Sequence, residues 1–484
     1  VSPLPGVSYE TRDISGVSGP PLDTATAFVG GQAERGPTNR PVFCTTLSQF
    51  EAVFGGEVAY GWLWWAAKLI LVEGGAGYWF VRTVGPAAKV STVKLTDGSK
   101  NTLQVDAVSP GAWGDDIDVK TEVGGGNVTY AVVFKGVNVE ISPALATNVD
   151  AVAWALNSEY VRFTDLGGAD PTAQTGNLAG GDDDRANITD EHRAASLNLL
   201  TADLGPGQVL YPGATTTAMY TALLTHAETH NRTALLDGAD TATVATLTGA
   251  AATLRALGDP AQCGGMFAPW AVVPGPTAGT TKTVPYSIIQ AGLCARRDAE
   301  TFKPEVGTGN PNSPAAGTGQ NAGVSRTATG LSQAAWTDTQ RETLNNAGVN
   351  VVRVLYESVV TYGFRTLTNP VTDALNIWLS NRRIDTAIIA ASEAIGEEFN
   401  WADFDGRGRK LSEFGSAISS RVLAPYYEIG ALFGESPEDA YSVETGEQVN
   451  PPKQLAAGLV LAEIGAKRSP LAERVKLLYL RREL

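Results

Sequence analysis

The sequence predicts a multidomain protein of mixed α/β and α+β class, and three observations carry that prediction. At 484 residues the chain is long enough for about three domains of ordinary size. Short alternating runs broken by turn residues fill the stretch from Lys89 to Leu178. From Ala186 the rhythm changes to strands and helices in alternation, the signature of a parallel, doubly wound sheet.

Composition narrows the function classes. With 43% hydrophobic and 18% charged residues the chain is globular in character. Its 36 Lys plus Arg against 51 Asp plus Glu give a net charge of -15, which repels a phosphate backbone and an anionic leaflet alike, so neither nucleic acid nor membrane is expected as a partner. No apolar run reaches the roughly 18 to 20 residues of a spanning helix. The start, Val1 to Pro5, lacks the basic and apolar regions of a secretory signal, and a soluble chain is expected.

Residues 1–20 mix Pro, Gly and Ser with a short alternating stretch, Val7, Tyr9 and Thr11 against Ser8, Glu10 and Arg12, which predicts an extended arm. Ala27 to Val29 followed by Gly30 and Gly31 reads as a buried strand and turn, and Leu47 to Phe54 as a helix stopped by Gly55 and Gly56. Trp62, Trp65, Leu69 and Val72 fall at helical spacing before Gly74 and Gly75, and Tyr78 to Arg82 is a strand. Residues 21–88 are therefore expected as one segment. In the β-rich module, 89–180, the runs Val90 to Leu95, Thr102 to Val108, Ile117 to Glu122 and Val128 to Phe134 are strands, with Gly124 to Asn127 a hairpin loop. Gly180 to Asp184 reads as a solvated boundary.

In the α/β region, 181–366, helices are expected at Ser196 to Leu204, Thr216 to His230 and Val244 to Leu257, and strands at Gln208 to Tyr211, Thr233 to Asp237 and Met266 to Val273. Glu305 to Gly330 is a Gly- and Pro-rich loop. Residues 367–466 carry helices at Val371 to Arg382, Asp385 to Glu398 and Leu411 to Leu423, then an alternating run from Leu455 to Ile464. A second arm, 467–484, alternates from Val475 to Leu480.

Catalytic chemistry finds no complete constellation. His226 and His230 sit at i and i+4, the spacing of a zinc pair, but the acid between them is misplaced and no third ligand is in prospect. Asp237 at a strand end invites a hydrolase triad, yet no His follows His230 and no nucleophile elbow exists. Gly307 and Gly309 lack the strand and helix of a nucleotide cradle. Cys44, Cys263 and Cys294 have no pairing or metal spacing and are expected as buried small side chains. No catalytic residue, cofactor or metal is assigned, and a non-enzymatic chain is expected.

The ends are more informative. Two strand-like arms flanking a folded body are what strand donation between subunits requires, and the candidates are Val7, Tyr9, Thr11, Val475, Leu477 and Tyr479. Each copy gives its arms to different neighbours, so the contact is heterologous and the assembly an open polymer.

Several phrases then share an order along the chain: Pro5-Gly6-Val7, Thr26 to Gly30, Arg35 to Pro37, Phe50 to Gly56, Glu73 to Gly75 with Phe80 to Arg82, Ser109 to Gly114, Leu344 to Asn350, Tyr362 to Thr366, Gly430 to Gly434, Glu438 to Ala440 with Val443, and Ser469 to Glu473. Together they resemble the contractile bacteriophage tail sheath family. The resemblance implies an inner α+β body built from the N-terminal and C-terminal regions, with the β module and a subtilisin-like, non-catalytic α/β domain inserted and projecting outward. It implies a homo-oligomer of stacked hexameric rings or a helical sheath around a tail tube protein, with baseplate and tail terminator proteins at its ends. Contraction would drive the tube through a host envelope during genome delivery, the alternative being the sheath of a phage-derived bacteriocin or injection system. The expected location is the virion tail, and the host cytoplasm during assembly. Arg407, Arg409, Lys410 and Arg421 are the candidates for the tube face, against a plain solvated helix start.

Overall fold

The computed structural model describes residues 23–75, 77–301, 323–404 and 408–470. They form two compact units, Asp23–Ala390 and Ala391–Pro470.

The larger unit is built on an eight-stranded sheet. Its spatial order is Ser358–Thr361, Val349–Leu355, Gly264–Ala268, Thr233–Asp237, Gln208–Leu210, Ala27–Gly31, Tyr78–Arg82 and Val42–Cys44. The six inner strands are parallel, and the two outermost are antiparallel to their neighbours. Continuous apolar runs such as Ala27 to Val29 and Ala234 to Leu236 suit strands covered on both faces. One face presents Val29, Phe80, Leu210, Leu235 and Phe267 to the helices Leu63–Glu73 and Tyr286–Thr301. The other presents Phe28, Val81, Val209, Leu236 and Met266 to Thr217–Thr229 and Val244–Arg255. Each fully buried Leu, Val or Phe contributes about 1.5 to 3 kcal/mol, so these two layers are the main source of cohesion.

The sheet crosses an expected boundary. The sequence separates segment 21–88 from the α/β region 181–366, yet Phe28 pairs with Val209 on one side and with Trp79 on the other. An all-apolar run needs strands at both edges and helices on both faces, and only the later strands supply one edge.

The module between these strands is a pair of antiparallel sheets. Thr92–Thr96, Asn101–Ala107 and Val161–Asp165 form one; Gln174–Asn177, Ile117–Gly124, Asn127–Phe134 and Val137–Ile141 form the other. Val105, Val119, Tyr130, Val132 and Phe163 fill the space between them. Gly125 and Gly126, at φ 62° and 82°, make the two-residue hairpin turn. Both ends of the module leave together, because Lys89 bridges to Asp182 and Thr92 to Ala179. Arg82 secures the junction from beneath: it is 1% exposed and donates to the carbonyls of Ala33, Glu34, Gly36 and Pro110.

Other elements differ from the sequence reading for local reasons. The expected helix Ser196 to Leu204 lies earlier, at Asp190–Leu197, because Thr189 caps it by accepting from the His192 amide. Met266 to Val273 is two strands, Gly264–Ala268 and Ala271–Pro274, since Pro269 has no N-H for a ladder. Val371 to Trp378 is not helical. Its turn is held by the Val371 amide on Asn369 and by the Thr366 and Thr368 hydroxyls on the Asn376 carbonyl, and a single helix, Leu379–Phe399, follows.

The smaller unit has Leu411, Phe414, Ile418, Val422, Leu423 and Tyr426 among its buried residues. Arg409–Ile418 runs through a π turn, Ser419–Leu423, into Ala424–Glu428. The widened turn precedes Pro425, which has no N-H to give the Arg421 carbonyl and crowds it with its ring. The unit also holds a two-stranded antiparallel sheet, Tyr441–Glu444 with Glu463–Ala466, and the short helices Pro437–Ala440 and Pro452–Ala456. Leu455 to Ile464, expected to alternate as a strand, contains the end of the helix Pro452–Ala456 and only the start of that second strand.

Candidate assembly site

The two-stranded sheet is the feature of the smaller unit that best fits an assembly role. Val443 pairs with Ile464 at its centre, and among the described residues neither outer edge carries a third strand. Such a ribbon is marginal by itself, and its unpaired edges are places where another chain can add. Its frame is well determined. Asn450, 1% exposed, donates to the carbonyls of Thr445 and Leu461 and accepts from the Leu461 amide at 2.7 Å. Thr445 donates to the Leu411 carbonyl at 2.7 Å, tying the strand end to the helix. Lys467 donates its amide to Ala440 and its carbonyl accepts from Phe433.

Two grooves flank the strand Tyr441–Glu444. One, about 460 Å³, is lined by Ser416, Ser419, Ser420, Tyr441 and Val443. The other, about 730 Å³, is lined by Phe404, Leu411, Val443, Pro452 and Leu455. Two glycines permit close backbone approaches here. A Cβ on Gly415 would meet Thr445 Oγ1 at 2.8 Å, and one on Gly434 would meet the Ala440 backbone nitrogen at 2.7 Å.

The six arm residues, Val7, Tyr9, Thr11, Val475, Leu477 and Tyr479, lie outside the described residues, as does Arg407. Of the tube-face candidates, Arg409 opens the helix Arg409–Ile418. Lys410 is exposed and donates to Glu413 at 2.7 Å. Arg421 donates through both terminal nitrogens to Glu398, at 2.7 and 2.6 Å, and holds that carboxyl below its ordinary pKa. Lys410 and Arg421 are thus matched by carboxylates of the same unit, a relation that sequence spacing did not disclose for Glu398.

The residues weighed for catalysis have structural partners. Asp237 is buried at the end of its strand and accepts from the Ser287 hydroxyl and amide, both at 2.7 Å, and from the Gly213 amide at 3.1 Å. Burial pushes its carboxyl up to about 6. His226 accepts from Arg232 Nη1 through Nε2 at 2.9 Å and stacks on His230 at 4.2 Å. Burial, with the neighbouring His230 and Arg232 charges, pushes it down to about 3. Cys44, Cys263 and Cys294 are buried, and burial raises all three thiols. Among the described residues no three His, Cys, Asp or Glu side chains gather as metal ligands, and no helix is long and apolar enough to cross a membrane.

No family model and no curated protein matches the chain. Solved structures do. A sheath tail protein from Listeria innocua superposes with a TM-score of 0.61 at 14% identity, over 87% of this chain and 89% of that one. A sheath tail protein from Desulfitobacterium hafniense gives 0.57 at 14% identity, over 91% and 93%. The helical sheath of the anti-feeding prophage in its contracted state gives 0.56 at 17% identity, over the whole of both chains. The chain therefore has the fold of sheath tail proteins of phage-like contractile systems.

Proposed function

We propose that this chain is the sheath subunit of a contractile injection machine, polymerising helically around a tube and contracting to drive it through an envelope. The observation that carries the reading is a two-stranded sheet with no third strand among the described residues, in a chain with this fold. Strands around Val7 to Thr11 and Val475 to Tyr479 of neighbouring copies add to the edges of Tyr441–Glu444 and Glu463–Ala466, and main-chain hydrogen bonds supply the affinity. The alternation of those arms, the unpaired edges and the two grooves support it. A joint of this kind keeps copies linked while their bodies repack, so a gain of only a few kcal/mol per subunit becomes irreversible over many copies.

In this arrangement the smaller unit carries the tube-face candidates, and the subtilisin-like α/β region is a non-catalytic part of the scaffold. The protein acts as a scaffold with no enzymatic step, and tube, baseplate and terminator proteins are its other partners. Arg407, Arg409, Lys410 and Arg421 remain the tube-face candidates, the charges of Lys410 and Arg421 being moderated by Glu413 and Glu398. A weak contact of that sort suits a surface that must slide.

Genome delivery by a virion tail, with assembly in the host cytoplasm, is one setting. A phage-derived bacteriocin or injection system is the other, and the full-length superposition on the anti-feeding prophage sheath favours giving it equal weight. Electron microscopy of the purified chain tests the shared claim: hollow tubes are expected, and a persistent monomer at high concentration contradicts it. Capsid and terminase genes beside this one would identify the virion setting.

A further inference from the structure

The chain enters the larger unit at a buried polar node. Thr24 is 2% exposed; its hydroxyl donates to Asp298 Oδ2 at 2.8 Å, and its carbonyl accepts from Arg383 Nη2 at 3.1 Å and from the Gln208 side-chain amide. Arg383 closes the triangle by donating to Asp298. Three elements meet here: the residues just before the strand Ala27–Gly31, the helix Tyr286–Thr301, and the start of Leu379–Phe399. Among the described residues, Asp298 Oδ1, Arg383 Nη1 and Gln208 Oε1 are buried without a hydrogen-bond partner.

Stability alone is a poor reason for such a node. A buried ion pair replaced by apolar residues of similar volume is often neutral or more stable, whereas losing one partner is costly. What a charged, hydrogen-bonded triangle provides and an apolar contact does not is resistance to displacement in a defined direction. An apolar surface slides; a hydrogen bond breaks once its geometry is lost. We infer that Thr24, Asp298 and Arg383 form an anchor that carries tension from the N-terminal segment into the helix Leu379–Phe399, sparing the central strand Ala27–Gly31. The source of that tension, a neighbouring copy holding the arm, rests on the proposed function; the anchor itself belongs to the single chain.

Single-molecule pulling on the full-length monomer tests it, so the outcome is independent of tube formation. One handle is an N-terminal tag and the other a cysteine at Tyr356→Cys, a hairpin tip 92% exposed; a control pair uses Val137→Cys, 64% exposed, with Tyr356→Cys. The triple change Thr24→Val, Asp298→Leu, Arg383→Met replaces the triangle without leaving a lone charge. Its melting temperature is expected within about 5 °C of the parent. The rupture force from the N-terminus is expected to fall about twofold or more while the control pair is unchanged. An unchanged N-terminal force, or an equal fall for both handle pairs, overturns the anchor. Should the triple variant not fold, Thr24→Val alone decides by the same criterion.

Discussion

The guanidinium of Arg35 lies 4.9 Å from the centre of the Tyr160 ring, and the rings of Trp113 and Phe134 stand at 5.5 Å around the same cation. From below, its Nη2 donates to the carbonyls of Ala52 at 2.8 Å and Glu51 at 3.3 Å. One side chain thus joins the end of the helix Leu47–Phe54 to the inserted β module. Arg35→Ala is expected to cost about 2 to 4 kcal/mol, combining lost cation-π contact with unpaired carbonyls. Calorimetry should show the module melting ahead of the rest, and Arg35→Lys should not restore the parent trace, because an ammonium cannot match a planar fork. A single unshifted transition in Arg35→Ala would contradict this role.

Glu73, fully buried at the end of its helix, accepts from the Ser325 and Thr327 hydroxyls at 2.5 and 2.6 Å and from the amides of Arg326 and Thr327. Arg296 stands 3.5 Å away. Removing the carboxylate leaves this donor set, and Glu73→Ala should lose about 3 to 5 kcal/mol in urea denaturation. Glu73→Gln, which keeps one acceptor, should lie between variant and parent.

His226 predicts the sign of a pH effect. Its folded pKa, about 3, lies below the ordinary value of 6.5, so the unfolded chain binds the extra proton between those limits. The stability tied to this neutral imidazole is complete above pH 6.5 and is lost as pH falls toward 3. His226→Gln, which keeps an acceptor for Arg232, should show a shallower fall in urea midpoint between pH 7 and 5 than the parent. A steeper fall would refute the assignment.

Gly434 tests the frame of the two-stranded sheet. With a Cβ placed 2.7 Å from the Ala440 nitrogen, Gly434→Ala must push that backbone aside, at about 1 to 3 kcal/mol. The smaller unit should exchange amide hydrogens faster around Tyr441–Glu444, and tube yield should fall even where the larger unit keeps its protection.

The sequence made the central strands legible where chemistry was local. Ala27 to Val29 and Ala234 to Leu236 are short apolar runs with no exposed face, and each lies in a fully buried strand. The glycine pair after Gly124 fixed a hairpin because both positions need positive φ. Legibility failed where a distant partner decides. Val371 and Leu375 have helical spacing, but they are 88% and 73% exposed, and the Asn369 and Thr366 side chains hold a turn there instead. Tyr441–Glu444 alternates between half-buried and exposed positions, too weak a pattern to announce a strand before Glu463–Ala466 is beside it. Arg421 looked like part of a basic run because Glu398, its partner, is 23 residues away.

Truncation at the two ends tests strand donation most directly. The proteins lacking residues 1–15 or 474–484 should each keep the parent's circular dichroism and melt cooperatively, yet remain monomeric in negative-stain micrographs under conditions where the parent forms tubes. Normal tubes from either truncated protein would contradict the proposal that these arms complete the sheets of neighbouring copies.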